Sequence, residues 1–422
     1  MLGLNRTFQS KIRSNLVKRR FSTKPYVTKN AARFVKDGKR VQAGLWLIGT
    51  SFCTFGFIVR GGYMRNIRFG TNTIQWKGEG PTPKSDQEWE EKFEEFKIYP
   101  EYTARGRPMT LEEFKQTWFV NKSAMILAPG AFLLHVLPMG YFLFRGYFKR
   151  PMIQFCAIYT GFVATTGLQG YYMDNHRPGT IEGEPIPAKD RHQRAIHYAL
   201  IGTYFGYGLW MALNLFRKSP DQTKSLERFF ALGSLRRHLA ITTHFFFTLV
   251  LLTGYLTAGT GSGRSITTYP KVGNKWLPAV DDLDEDTYFL ENLLNNNKLI
   301  QFNHRTLGML MTGATGIQWI FLMKSKLGLM GKLGFTTLFI LLLGQLHIGG
   351  SMVTKGMQPE YTMIHAANGY LIFATLLYLM HLCRKPNPTV LRKVAAELKK
   401  SNPKKYKTIA KRYPKQMAQI LN

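Results

Sequence analysis

Three histidines lie near the start of long apolar stretches, and their spacing is typical of metal-ligating side chains. His197 lies in RAIHYALIGTYFGYG, His304 in QFNHRTLGMLMTGATG and His365 in TMIHAANGYLIFATLL. A fourth stretch, WFVNKSAMILAPGAFLLH, has Ala124 at the corresponding position. Imidazoles just inside a bilayer can bind heme iron from both faces. The residues therefore predict a bis-histidine heme site, and the alanine limits how many such sites can form.

The alternative for any membrane histidine is a hydrogen bond to a neighbouring helix. We interpret the other histidines of the apolar stretches in this way, as structural or interfacial residues: His238, His244, His347 and His381. For His197 the alternative stays open, because it could pack against polar neighbours when no second ligand faces it.

The composition indicates a membrane protein. The chain has 422 residues, is 45% hydrophobic, and contains 57 Lys and Arg against 25 Asp and Glu, for a net charge of +32. Its basic residues lie in the N-terminus, the C-terminal tail and short loops between apolar stretches, which is how membrane proteins distribute cations. This distribution argues against binding nucleic acid. The three cysteines lie in apolar stretches without metal-ligand spacing.

Eight stretches are long and apolar enough to cross about 30 Å of hydrocarbon. They predict an all-α polytopic membrane protein with eight transmembrane helices, at 42–62, 119–146, 152–173, 196–216, 239–259, 301–323, 332–354 and 362–383.

The N-terminal segment 1–30 contains no Asp or Glu and is rich in Arg, Lys, Ser and Thr, which is typical of a mitochondrial transit segment. Its alternative is a disordered basic tail. The loops after the second, fourth and sixth spans are basic, whereas SDQEWEEKFEEF and DDLDEDTYFLE on the other side are acidic. The positive-inside rule then predicts an inner-membrane protein with both termini in the matrix and the three histidines on the opposite face.

An internal repeat divides the chain. MIHAANGYLIFAT in the eighth span is similar to AIHYALIGTYFGY in the fourth, and the second span, which contains NKSAM, corresponds to the sixth, which contains FNHRT. We predict an N-terminal four-helix half over 31–217, a C-terminal four-helix half over 218–384, and a basic matrix-side tail over 385–422.

The chain resembles the heme A synthase family, eight-helix enzymes that oxidise a methyl group of heme O to a formyl group. The resemblance runs from about Gly44 to Arg384 through RGGYMR, EWEEKFEEFKIYPEY, MTLEEFKQTWF, TYPKVGNKWLP and QFNHRTLG. It implies that His304 and His365 bind one heme b in the C-terminal half, that Arg305 meets a propionate with its planar fork, and that His197 is a ligand on the substrate side.

The chain departs from the family at the start of the second span. Asn121, Ala124 and Met125 replace the Glu, His and Arg of the family's E-x-x-H-R element. Alanine has no lone pair for iron, and asparagine cannot act as a general base. His135 lies about 16 Å deeper along the helix, and Met125 points about 100° away from Ala124. These changes argue against binding heme O or heme A in the N-terminal half.

We therefore expect a non-catalytic protein that keeps one heme b and serves as a structural or accessory part of cytochrome c oxidase or a larger respiratory-chain assembly. Its tail should contact anionic lipids at the matrix face. The alternatives are an active, divergent heme A synthase that converts heme O to heme A, and a heme carrier or electron-transfer cytochrome.

Overall fold

The computed structural model describes residues 33–36, 38–67, 80–103, 108–175, 191–216, 225–278, 288–325 and 327–421. The predicted transit segment 1–30 lies outside the described residues. The described part is helical, with two isolated β-bridges, Val35 to Phe148 and Val272 to Lys275. The prediction of an all-α polytopic membrane protein is confirmed.

The long helices correspond in order to the predicted spans. They are α1 Arg40–Ile67, α4 Leu111–Phe144, α5 Arg150–Asn175, α6 Arg191–Phe216, α8 Thr248–Thr260, α10 Asn297–Lys324, α11 Leu329–Thr354 and α12 Pro359–Leu382. The shorter helices are α2 Asp86–Phe96, α3 Pro100–Thr103, α7 Leu226–Leu239, α9 Phe289–Asn295, α13 Pro388–Ser401, α14 Pro403–Arg412 and α15 Pro414–Leu421. A π-helical segment, Ala240–Phe247, joins α7 to α8.

Seven helical segments within the described residues are long and apolar enough to cross a membrane. The third predicted span, 152–173, falls on the 26-residue helix α5, which is not among these seven. Its sequence places Gln154, Gln169 and several threonines and glycines among the apolar residues, which lowers its hydropathy. The count of eight transmembrane helices stays a prediction.

Helix α4 begins at Leu111, eight residues before the predicted start of the second span. Thr110 and Glu113 form a capping box that satisfies backbone N–H groups at the helix start. The acidic segment before it is the amphipathic helix α2, with Trp89, Phe93 and Phe96 buried. These rings pack on the extra turns of α4, which explains why the helix starts earlier than its apolar stretch.

Helix α6 lies at the centre of the bundle, where it packs against α1, α5, α8 and α12. It does so through glycines: a β-carbon at Gly202 would overlap the hydroxyl of Tyr255 from α8, and one at Gly206 would lie 2.7 Å from the Phe373 ring of α12. Small residues let membrane helices approach closely, and here aromatic side chains of neighbours fill the space they leave. Helix α12 also packs on α1. The two-half organisation stays a prediction.

The basic tail folds into three helices, α13 to α15. Their apolar faces form a cluster with α7 that contains Leu226, Phe230, Leu391, Ala395, Ile409, Met417 and Ile420. We call α13 to α15 the C-terminal cap. Its lysines lie largely on the exposed faces of the helices.

Candidate functional site

His304 on α10 and His365 on α12 lie next to each other. Their ring centroids are 6.4 Å apart, and the ring planes are inclined by 77°. With metal–imidazole bonds of about 2.0–2.1 Å, two imidazoles on opposite sides of one metal ion have centroids about 6.3 Å apart. The two rings are therefore close enough together to be the pair of imidazoles that would hold one iron.

Each of these rings lies against a glycine of a neighbouring helix. A β-carbon at Gly254 on α8 would lie 3.0 Å from His304 Cε1, and one at Gly349 on α11 would lie 3.1 Å from His365 Cε1. Any larger residue would push the rings from their places. Neither glycine was predicted from the sequence. The signal was available at Gly254, because a glycine inside a helix costs stability and is therefore unexpected there.

Hydrogen bonds fix the protonation of both rings. Thr253 Oγ1 donates to the carbonyl oxygen of Leu249 at 2.8 Å, so it accepts from Nδ1–H of His304 at 3.2 Å. His304 Nε2 therefore keeps its lone pair. On the other side, the Gln345 amide nitrogen lies 3.2 Å from His365 Nε2 and donates to it. His304 Nε2 is thus unprotonated, as iron ligation requires, whereas the lone pair of His365 Nε2 accepts from Gln345, which would have to release it for iron to bind there.

The loop 265–278, which contains TYPKVGNKWLP, lies over this site. Gln301 anchors its start: Oε1 accepts from the Ile266 amide at 2.7 Å, and Nε2 donates to the Gly263 and Ile266 carbonyl oxygens at 2.8 and 3.0 Å. Arg305 holds its middle by donating from Nη1 to the Thr268 carbonyl oxygen at 2.6 Å. The loop is therefore tied to the same helix that carries His304.

Tyr269 of this loop packs on α11 beside His365. A β-carbon at Gly350 would lie 2.7 Å from Tyr269 Cδ1, and Gly350 follows the glycine against His365. Burial raises the pKa of the Tyr269 phenol above its ordinary value, and the Arg305 guanidinium offsets part of that rise. The phenol is therefore neutral at physiological pH, and its ring packs on α11 next to the glycine that lies against His365.

Arg305, predicted to meet a propionate, uses Nη1 and Nη2 on backbone carbonyl oxygens of the loop. Its Nε is buried, and it makes no hydrogen bond within the described part of the chain. Burying an N–H donor of a charged group without an acceptor costs free energy, and a carboxylate would supply the missing acceptor. The residues present therefore fit a heme with one propionate directed at Arg305.

Helices α8 and α12 are connected by side chains. Two long side chains bridge them, with the hydroxyl oxygens of Tyr255 and Tyr370 3.2 Å apart.

His197 lies on α6 in the N-terminal half, apart from the histidine pair. Its Nδ1 is 2.7 Å from Gln169 Oε1 on α5, and a β-carbon at Gly170 would lie 3.5 Å from its Cε1. The helix–glycine arrangement is similar to that of His365 with Gly349. His197 is thus held by a side chain that the sequence gave no reason to select.

The three substituted positions lie within α4. Asn121 is buried, at 8% exposure, and α1 is tied to the preceding residue because Arg60 Nε donates to the Val120 carbonyl oxygen at 2.9 Å. The side chains of Ala124 and Met125 lie outside the described part. Asn121 is therefore part of the packed joint between α1 and α4.

Other histidines have structural roles. His135, buried in α4, is 3.1 Å from the Tyr204 hydroxyl and 3.0 Å from Thr160 Oγ1, so both ring nitrogens are engaged. His381 Nε2 donates to Asn214 Oδ1 at 3.3 Å between α12 and α6. Within the described ranges, no group of three His, Cys, Asp or Glu side chains could hold a metal ion. A heme needs only two protein ligands.

Fold and site together define a polytopic helical membrane protein with a histidine pair suited to heme. Residues 44–392 match the family model COX15-CtaA, described as cytochrome oxidase assembly protein, and the chain belongs to this family.

Known relatives cover most of the chain. Heme A synthase COX15 of Bos taurus is 28% identical over 356 residues, 83% of this chain and 84% of that protein. Heme A synthase COX15 of Saccharomyces cerevisiae is 26% identical over 382 residues, covering 83% and 77%. A bacterial relative, heme A synthase of Nitrosomonas eutropha, is 26% identical over 345 residues, covering 81% and 92%.

Proposed function

We propose that this protein is a non-catalytic member of its family that holds one heme b between His304 and His365. The observation that carries the proposal is the contrast between the two halves. The C-terminal half has two imidazoles 6.4 Å apart, whereas α4 of the N-terminal half has Ala124 where a ligand is needed. Together with Asn121 and Met125, this substitution removes the ligand, the carboxylate and the cation of one half.

The chain's own residues have defined tasks in this proposal. Thr253 orients His304, Gly254 and Gly349 leave space for the two rings, and the loop held by Gln301 and Arg305 excludes water. A bound heme b would supply an iron that accepts and donates single electrons. Arg305 would hold a propionate through its free Nε.

The proposed location is the mitochondrial inner membrane, with both termini in the matrix. The relatives include heme A synthase COX15 of Bos taurus, and the basic loops and the C-terminal cap lie on one predicted face. We propose that the protein acts as a structural or accessory component of cytochrome c oxidase or a larger respiratory assembly. The exposed lysines of the cap would contact anionic lipid headgroups.

The test is the heme content of the native full-length protein, purified in mild detergent and extracted for mass spectrometry. One heme b per chain that is lost in His304→Ala and in His365→Ala supports the proposal. Heme A formed from added heme O, with electrons supplied, would overturn the non-catalytic assignment. Recovery as a free monomer under gentle conditions would contradict the accessory role.

A second candidate is an active, divergent heme A synthase that converts heme O to heme A. The observation that favours it is the arrangement around His197, where Gln169 Oε1 lies 2.7 Å from the ring Nδ1. In that case His197→Ala abolishes formation of heme A in cells that lack another source of the activity. An unchanged heme A content in that variant eliminates the candidate.

A further inference from the structure

Helix α1 belongs to the predicted N-terminal half, yet its end packs on the helix that carries His365. Gly62 is buried at this contact. A β-carbon at Gly62 would lie 3.2 Å from the Thr362 carbonyl oxygen, 3.3 Å from Cα of Met363 and 3.4 Å from Cβ of Ala366. Two of these three atoms are backbone atoms, so α1 and α12 meet main chain to main chain. Glycine allows this close approach of two membrane helices.

The contact falls on the turn of α12 from which His365 projects. With 3.6 residues per turn, Thr362, Met363 and Ala366 share one face of the helix, and His365 leaves it about 100° from the centre of that face. The His365 ring itself lies against Gly349 of α11. The turn is therefore held between α1 and α11, and a side chain at position 62 would press on its backbone and move the imidazole.

The same crossing recurs with the two predicted halves exchanged. Gly259, near the end of α8, packs on the start of α6, where a β-carbon would lie 2.6 Å from the Arg191 carbonyl oxygen and 2.8 Å from Cβ of Ala195. Arg194 Nε donates to the Gly259 carbonyl oxygen at 2.8 Å. The first span of each predicted half therefore crosses the fourth span of the other half, close to where that fourth span begins.

We propose that Gly62 is a positioning residue for the heme b ligand His365, and that the N-terminal half serves the heme site of the C-terminal half through this contact. The inference rests on the proposed heme b function and deepens it. The substitution at Ala124 lies on α4 and leaves the crossing of α1 on α12 in place. A half that lacks its own pair of imidazoles thus remains necessary for the heme site of the other.

The experiment is a titration of the full-length protein and its Gly62→Val variant with hemin in mild detergent, followed by electron paramagnetic resonance. The methyl groups of valine would enter the space of the Thr362 and Met363 backbone, so α12 must shift. The low-spin signal of iron with two imidazoles depends on how the two rings are oriented. We expect a shifted low-spin signal and an affinity for heme about 10-fold lower, a usual loss when the support of a metal ligand is altered.

Two control variants lie on the same helix. Gly61→Val makes the same exchange one residue earlier, where a β-carbon would meet no described atom within 4 Å, and it should keep the parent signal and affinity. Gly44→Ala lies about 27 Å away along α1, where a β-carbon would come within 2.5 Å of the Phe216 ring. It should lower the thermal unfolding midpoint without shifting the low-spin signal, which separates general destabilisation from the positioning of His365.

A milder pair of variants decides the question even where Gly62→Val fails to fold. Gly62→Ala inserts the β-carbon alone, and it should shift the low-spin signal in the same direction by a smaller amount. Adding Ala366→Gly removes one of the three close contacts and should return the signal toward that of the parent.

The outcomes separate the two proposals. A parent-like low-spin signal in the Gly62 variants overturns the inference and leaves the proposed function intact, and an equal shift in Gly44→Ala does the same. If the parent protein binds no low-spin heme that depends on His304 and His365, both the proposed function and the inference are overturned.

Discussion

The hydroxyl group of Tyr255 on α8 occupies the space where a β-carbon at Gly202 on α6 would lie. The contact joins helices of the two predicted halves, at the level where Tyr255 also meets Tyr370. We predict that Gly202→Ala destabilises the protein by about 1–3 kcal/mol, the usual range for inserting a methyl group into a filled core. The midpoint of thermal unfolding in detergent measures this change.

A matched control is Gly140→Ala on α4, where a β-carbon would meet no described atom within 4 Å. It should be neutral or stabilising, because alanine is favoured over glycine in a helix by up to about 1 kcal/mol. Tyr255→Phe should recover part of the stability of Gly202→Ala by removing the clashing oxygen. Equal unfolding midpoints for the two glycine variants would contradict the packing argument.

The histidine pair should determine how much heme b the protein binds. We predict that His304→Ala and His365→Ala each reduce the heme b content of the purified protein to a small fraction, because the remaining single bond and the disturbed cavity hold heme weakly. His135→Ala is the control, since both nitrogens of His135 are used within the protein. The pyridine hemochrome assay gives the heme content. Retention of heme b in both variants would contradict the assignment of His304 and His365 as heme ligands.

Arg305 should hold the loop 265–278 over the site. We predict that Arg305→Leu increases hydrogen exchange in this loop by about 10-fold or more, since hydrogen bonds from a charged donor contribute about 1.5–3 kcal/mol each. Arg237→Leu, at an exposed arginine, should leave the loop unchanged. Exchange measured by mass spectrometry on loop peptides tests this. A loop equally protected in both variants would show that Tyr269 and Gln301 suffice.

The alanine at position 124 should be what prevents two imidazoles from binding one iron in the N-terminal half. Iron with two imidazole ligands is low-spin. We predict that Ala124→His adds a second low-spin heme during titration with hemin, because it supplies an imidazole at the position that corresponds to His304 in the predicted repeat. The double variant Ala124→His with His197→Ala should lose it again. Electron paramagnetic resonance distinguishes the two hemes by spin state. If Ala124→His adds no low-spin iron, the repeat correspondence of residue 124 with residue 304 is wrong.

The C-terminal cap should depend on its apolar cluster. Ile409 is 4% exposed in that cluster, and we predict that Ile409→Ala costs about 2–4 kcal/mol of cap stability. Limited proteolysis should then cleave the tail after its lysines more rapidly. Thr408→Ala, at an exposed neighbour, is the control. Unchanged cleavage rates would mean that the cap is held by contacts other than this cluster.

The start of α4 is one place where sequence patterns were insufficient. The apolar stretch indicated a start at 119, yet the helix begins at Leu111, since Trp89 and Phe93 from α2 cover turns that carry Glu112 and Glu113. Such a packing partner lies outside any window of local hydropathy. Conversely, the predicted third span, 152–173, coincides with the 26-residue helix α5, although α5 is not among the seven helices that are long and apolar enough to cross a membrane.

The sequence by itself determined the helical membrane architecture, the family, and the identity of the ligand candidates His197, His304 and His365, because apolar length and residue type are local properties. The tertiary structure decided how those residues act together. Only the packing of α8, α10, α11 and α12 brings the two rings to 6.4 Å, and only the packing of α1 on α12 brings Gly62 to the turn of His365. Residues distant in sequence determine these distances, so no local pattern could reveal them.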